Sequence, residues 1–453
     1  MLLICSVRCC RGWPNSLLAV PIIDLDTPPP AGVERAPLPL PRRLTPPRPA
    51  RVLVVVLLTL AGLGAAAPSG RGIRHLLSAG GQPASAFVLS TDALFTASFG
   101  NSPNSDSAVR RWDLPGGALR WAIVLPQNVQ NLVYDDASNV LMGRSGNEPM
   151  VVFLDAGTGA VLWRDQSPNT SVVNMFGGQA LIQTAVADRL RELRLVDART
   201  GRPVWSRELD ATGYLDAGDQ PGTRPTRIIA VDQAGHTIVL RYADGSVLAE
   251  GDLGVNFPVQ LDSAFGADFA GVSAVGEVLY VSRRENGAST LTAWSIDSLI
   301  RRWQTAGGPV GWVVDCGAVL CMAEDGLVSA LDPAGGRVLW QRSGLGYAYR
   351  YDDRTLLAYD QSDNPRSVLL DPRTGAVLAR LGSVVQLREV LLRRDSVRIG
   401  RTWVQAYGGD GALHAVGALD TVAPFGCELR GPYLACPTTA GPTQVWRLPL
   451  HLT

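Results

Sequence analysis

The sequence predicts an all-β fold assembled from a repeated four-stranded unit, and three observations lead there. A short segment recurs as FLDAGTGAVLW at 153–163, LVDARTGRPVW at 195–205 and ALDPAGGRVLW at 330–340. Between the recurrences lie pairs of short apolar segments, such as SVVNMF and then QALIQTAV ahead of 192. Gly 48 and Pro 31 in 453 residues supply many turns, which favours short strands over long helices. A spacing near forty residues, four short strands and a large aromatic on the last strand make the pattern of a β-propeller blade.

Each unit can be justified residue by residue. An alternating strand such as ELRLVDA ends on an Asp whose side chain can accept from the backbone two residues on. A Gly then takes the positive-φ position, and a second strand such as RPVWSREL follows, which is a hairpin signal. The blade-motif residues are therefore Asp155, Gly159 and Trp163; Asp197, Gly201 and Trp205; Asp332, Gly336 and Trp340; and Asp371 with Gly375. In the last of these, LLDPRTGAVLA, Ala379 replaces the Trp. The Trp is expected between neighbouring sheets, with Trp163 and Trp205 mostly buried.

Weaker copies are RWDLPGGALRW at 111–121, RYADGSVLAE at 241–250 and WSIDSLIRRW at 294–303. Anchor Asp residues at 113, 155, 197, 244, 297, 332 and 371 count seven blades, and a degenerate unit at about 384–420 makes eight. The segment GPYLACPTTAGPTQVWRL at 431–448 starts one more unit, which a strand near 74–90 would complete. The expectation is eight blades over 80–453, with that irregular unit left over.

The D-x-x-[TG]-G-x-x-x-W units at Asp155–Trp163, Asp197–Trp205 and Asp332–Trp340 resemble the repeats of quinoprotein (PQQ-type) propellers. The resemblance covers roughly residues 80–450. Non-enzymatic relatives of that type include the propeller lipoprotein of the outer-membrane barrel-assembly machine, and the chain also looks like single-anchor propellers of actinobacteria.

Ahead of the repeats, 1–51 carries seven Arg against Asp24, Asp26 and Glu34. All basic residues are Arg, which reads as codon bias in a GC-rich genome. Val52–Ala67 is an apolar run, and the positive charge before it orients such a segment with its N-terminal side in the cytoplasm. The run is short for a spanning helix and long for a signal-peptide core. Ala65 and Ala67 form an A-x-A cleavage pattern, whereas the long preceding segment argues for a retained anchor. Either way the propeller is expected outside the membrane, behind a Pro/Arg-rich segment that is disordered in expectation and a linker at 68–79.

The resemblance to quinoprotein dehydrogenases implies carboxylate and amide ligands for Ca²⁺, a catalytic Asp, a Trp floor and often a paired-Cys loop. The one Cys-Cys pair is Cys9-Cys10, ahead of the apolar run. Asp-Asp pairs at 135–136 and 352–353 sit in turn contexts and read as solvated turn acids. His75, His236, His414 and His451 lack ligand spacing, and no hydrolase elbow or phosphate loop occurs. No catalytic, cofactor-binding or metal residue is therefore assigned. The net charge of zero gives no sign of nucleic-acid binding.

Four cysteines fall within the repeats: Cys316, Cys321, Cys427 and Cys436. In an extracytoplasmic domain they read as disulfides, three connectivities are open, and the local pairs 316–321 and 427–436 fit across hairpins. Buried free thiols are the alternative. The expected function is a non-catalytic scaffold that binds a protein or cell-envelope component through loops such as 211–225 and 254–270, which read equally as tolerated insertions. The competing expectation is a PQQ-dependent dehydrogenase-like or other enzyme using the channel.

Overall fold

The computed structural model describes residues 72–449 apart from short internal segments, of which 258–268 is the longest. The Pro-rich segment, the run Val52–Ala67 and Cys5, Cys9 and Cys10 lie outside the described residues. The described residues form nine four-stranded antiparallel sheets. We number them as blades I to IX: 86–125, 129–165, 170–211, 213–252, 269–306, 313–343, 347–382, 384–420, and 428–447 completed by Arg74–Ala79. Within a blade the strands run A to D in sheet order, with A innermost.

No blade has a core of its own. The buried apolar residues fall into nine clusters, and each cluster joins two neighbouring blades. The reason is the period of two in a strand, which sends alternate side chains to opposite faces. In blade III, Leu181 packs toward blade IV while Ala180 and Ile182 pack toward blade II. In blade VII, Leu357 faces blade VIII while Leu356 and Ala358 face blade VI. Strands B and C therefore carry apolar runs such as IIAV after Arg227 and LLAY, because both faces are covered.

The recurrent Trp and Gly meet across these interfaces. In strand D of one blade, the Trp ring lies on the Gly that ends the C–D turn of the next. Trp121 lies on Gly159, Trp163 on Gly201, Trp205 on Gly245, Trp303 on Gly336 and Trp340 on Gly375. Each indole Nε1 also donates to a backbone carbonyl of that turn, as from Trp121 to Ala156, Trp163 to Ala198 and Trp205 to Tyr242, all at 2.9 Å. The anchor Asp shapes the turn: Asp155 Oδ1 accepts from the amides of Gly157 and Thr158, both at 3.0 Å, and Asp197 does the same for Arg199 and Thr200. Trp205 is 9% exposed, while Trp163 is only partly buried and stacks on Phe153 at 3.9 Å.

The joints that lack this latch are instructive. Between blades IV and V, Ala249 stands at the Trp position and Leu299 at the Gly position, with φ 48°; both side chains join the cluster between those blades. Where no ring needs room, the larger residue fills it. Between blades IX and I, Leu77 lies against Gly117 in the same manner.

Nine blades replace the expected eight. The ninth is the irregular unit at 431–448: its first three strands are Glu428–Arg430, Tyr433–Cys436 and Thr443–Arg447, and its D strand is Arg74–Ala79. It has no C–D turn, hence no anchor Asp to count. Arg74–Ala79 also lies in the segment expected as linker, so the propeller begins before residue 80.

Gly201 and Gly287 both have positive φ, but only at Gly201 would a Cβ meet a ring, 2.8 Å from Trp163 Cδ2. Gly287→Ala should cost about 1 kcal/mol for the left-handed backbone alone. Gly201→Ala should cost about 1–3 kcal/mol more from overpacking. Urea denaturation of both variants measures the difference, and equal losses would count against the latch.

Candidate functional site

The propeller has two unlike faces. One carries the A–B and C–D turns, and with them the Trp latches. The other carries the B–C turns and the connections between blades; we call it the connector face. The two segments singled out as loops separate here. Residues 211–225 are not simply an inter-blade segment, since Gly213–Ala217 is strand A of blade IV and pairs with Arg227–Val231, while residues 218–223 lie outside the described residues. Residues 254–270 fall between blades IV and V; 258–268 lie outside the described residues, and the described 254–257 pack on the B–C turn of blade IV.

That packing builds a cleft. The amide of Leu253 donates to Gly235 O at 3.0 Å, and the amide of Phe257 donates to Gln233 O at 2.8 Å. Gly235 has φ 86°, and a Cβ there would come within 2.3 Å of Val255 O, so only Gly allows this approach. Asp232 Oδ1 holds the turn by accepting the His236 amide at 2.8 Å. Between this wall and blades III and V lies a cavity of about 680 Å³, floored by Phe257 and Ala270 and lined by polar side chains.

The charges in the cleft are matched. Arg189 reaches Asp210 at 3.4 Å and Gln233 at 3.3 Å, and Arg191 reaches the same Asp210 oxygen at 3.1 Å. Arg283 pairs with Glu285, and Arg284 pairs with Glu324. Glu324 in turn accepts the Val310 amide at 2.8 Å, which ties the connector at 307–312 to the cleft wall. Trp312, at the end of that connector, is 43% exposed. Sequence reasoning singled out 254–270, which supplies Asn256, Phe257 and Ala270, but missed the rest of the cleft because those residues come from separate segments of three blades, none of which carries a motif.

The Asp pairs divide. Asp352 and Asp353 are exposed turn acids, as expected; Asp352 accepts the Arg354 amide at 2.7 Å and Asp353 pairs with Arg350. Asp135 corrects the expectation, since it is 7% exposed and bridges two blades. It accepts from Ser138 and from the amides of Gly177 and Gly178 at 3.1 and 2.9 Å. A buried carboxylate with these donors is a structural cross-tie. Asp136 pairs with Arg430 of blade IX. His236 lies between Asp252 at 3.1 Å and Glu250 at 3.2 Å; hydrogen bonding to Asp252 first, then to Glu250, raises its pKa against the opposing effect of burial.

Cys316 is bonded to Cys321 and Cys427 to Cys436, with Cα atoms 5.8 and 4.2 Å apart. Each closes the A–B hairpin of its blade, and these blades have the shortest inner strands: Val313–Asp315 and Glu428–Arg430 have three residues each. The covalent link stands where strand pairing is least.

At the seam between the last and first blades, Glu428 Oε2 accepts the Leu89 amide at 2.7 Å. Burial pushes this carboxyl up to about 7, against the pull of the Leu89 amide and of Arg430.

A closed ring of nine blades latched through Asp, Gly and Trp repeats is a PQQ-type β-propeller. The family described as outer membrane protein assembly factor BamB matches residues 105–342, more than half of the chain, and the chain belongs to that family. Among solved structures it is similar to BamB from Moraxella catarrhalis, with 13% identity, 80% of this chain and 93% of that one covered, and a TM-score of 0.43. It is also similar to Sqt1 of Saccharomyces cerevisiae, with 10% identity, 77% and 99% covered, and a TM-score of 0.42. A structure described as the eukaryotic initiation factor gives 11% identity, 80% and 99% covered, and a TM-score of 0.50. That last likeness shows the fold alone, and none of the three bears on function. No curated protein matches the chain.

A carboxyl raised from 4.5 to about 7 favours the folded state most when protonated. Stability should therefore be greatest below about pH 4.5 and fall as pH rises toward 7, by at most about 3 kcal/mol from this group. His236 acts in the same direction but is half-exposed and contributes little. Glu428→Gln, which keeps an acceptor for Leu89, should remove most of the loss in thermal midpoint between pH 5 and pH 8, about the range of the shift. An unchanged pH profile would rule the seam carboxyl out.

Proposed function

We propose that the protein is a non-catalytic binding scaffold displayed outside the cytoplasmic membrane, contacting a protein or cell-envelope component through its connector face. The observation that carries this reading is the use made of the repeat residues. Asp155, Gly159, Trp163 and their counterparts are taken up in turns and blade joints, so the ring acts as a stiff frame. What such a frame offers to solvent is its loops, where rigid folds carry recognition. Membership of a family described as an outer membrane protein assembly factor favours an envelope role. Disulfides in blades VI and IX suit an oxidising compartment, and the Arg excess before Val52 favours an external propeller by unrelated physics.

Photo-crosslinking in the native cell tests the scaffold. A crosslinker at Glu285 on the connector face should give a defined adduct, and one at Thr374 on the latch face should not. No adduct from either face, or adducts from the latch face alone, would overturn the reading. Calorimetric titration with PQQ and Ca²⁺ tests the non-catalytic part: no saturable heat is expected, and one-to-one binding at about micromolar affinity would restore the enzyme reading.

Topology has its own test. External protease on intact protoplasts should digest the propeller, and peptides mapped without reduction should show the 316–321 and 427–436 pairs. Full protection, or four free thiols, would reverse the placement.

A further inference from the structure

The outer edge of the latch face is apolar in a repeating way. Fourteen large apolar side chains are exposed among the described residues, and eight of them stand where strand D leaves the C–D turn. Each of blades I to VII contributes at least one. They include Leu119, Val204, Ile300, Val338 and Leu378, which are 37 to 66% exposed. Strand D is the outermost of its blade, so these side chains ring the rim of one face, and burial inside the propeller does not account for them.

The rim is also cationic. Arg120, Arg202, Arg301, Arg337 and Arg380 lie within two residues of those five side chains, and no Asp or Glu does. All five Arg are exposed, and among the described residues none of them meets a carboxylate. The anchor carboxylates of the same turns are held by turn amides, and Asp155 and Asp297 also by Arg199 and Arg227. An Arg beside an apolar residue can lay its stem along hydrocarbon while its fork reaches a phosphate. Apolar and basic groups on one rim therefore suit an anionic lipid surface, which takes side chains to a depth of about 5–10 Å.

The point where the chain enters the ring selects the same face. Strand Arg74–Ala79 pairs Arg74 with Arg447, at the end of strand C that leads to the latch face, and Leu77 lies against Gly117 of the blade I turn. Arg74 is thus the latch-face end of its strand. Six residues, 68–73, separate it from the apolar run Val52–Ala67, and they can reach at most about 25 Å. With the connector face on the membrane, the strand Arg74–Ala79 alone would take up about 20 Å of that reach. With the latch face on the membrane, almost none is needed.

We propose that the latch face lies on the membrane that holds Val52–Ala67, with the strand D rim dipping into anionic phospholipid and the connector face turned away. The proposal rests on the reading of Val52–Ala67 as a retained membrane segment. Full-length protein in liposomes of phosphatidylglycerol and phosphatidylcholine provides the test, with a benzophenone side chain at Val204, Leu378 or Glu285. Flotation after alkaline carbonate reads the anchor, and the mass of the photoproducts reads the rim, distinguishing lipid from captured protein. Lipid adducts at Val204 and Leu378 should exceed those at Glu285 by about tenfold. Arg202→Gln, Arg337→Gln and Arg380→Gln together should lower the rim yield by about tenfold, as should liposomes of phosphatidylcholine alone. Unchanged urea denaturation would show that the triple variant remains folded. Protein that floats without an excess of lipid adducts on the rim would overturn the proposal and leave the anchor standing. Rim adducts to a second copy of the chain would overturn it in favour of self-association. Lipid adducts indifferent to both charge changes would overturn the choice of anionic lipid. Protein stripped from the liposomes by carbonate would remove the anchor and the proposal with it.

Discussion

Every sheet in this protein is covered on both faces by its neighbours, and that mutual burial is the constraint from which the rest follows. A single blade would expose two apolar surfaces, so the unit of stability is the joint between blades. The Trp latch serves the joint in two ways. It buries aromatic area against a backbone that only Gly can bring close enough, and it satisfies the indole N–H with a carbonyl of the turn. Asp155 and its counterparts hold the turn in the shape that makes both contacts available.

The constraint also explains how the two faces came to differ. The latch face is committed to ring geometry: its Asp, Gly and Trp residues cannot change without disturbing a joint. The connector face carries no such repeat, and its segments vary in length and composition. Among the joints between blades I and VII, IV–V is the one without the Trp–Gly latch, and the polar cleft opens at the opposite end of that same joint. There Ala249 and Leu299 complement one another in size, so the joint keeps its packing without the ring.

Much of this was legible in the sequence, for a physical reason. Turn chemistry is local, so Asp155, Gly159 and Trp163 announce a hairpin wherever they fall, and seven anchors marked seven blades. The two disulfides were legible because each spans one hairpin, a distance that strand geometry sets. What escaped was whatever depends on remote partners. Blade IX was foreseen as the unit at 431–448 completed by a strand near 74–90, but it went uncounted because, with no C–D turn, it carries no anchor Asp. Asp135 passed for a solvated turn acid because the amides of Gly177 and Gly178 that bury it belong to the next blade. Strand A of blade IV was mistaken for loop, since GYLDA is a short segment between turn-rich stretches. The cleft beyond 254–270 escaped for the same reason, being assembled from segments of three blades.

The strand Arg74–Ala79 sets an order of events. It precedes every other strand of the ring in sequence, yet its place is beside Thr443–Arg447, near the other end of the chain. During synthesis it emerges before all its partners and must wait, unpaired, until eight further sheets and three strands of the ninth have followed it. Until then the growing protein is an open arc with an uncovered sheet at each end. The nascent chain is therefore most vulnerable to self-association just before it is complete, and closure by its oldest strand is what ends that exposure.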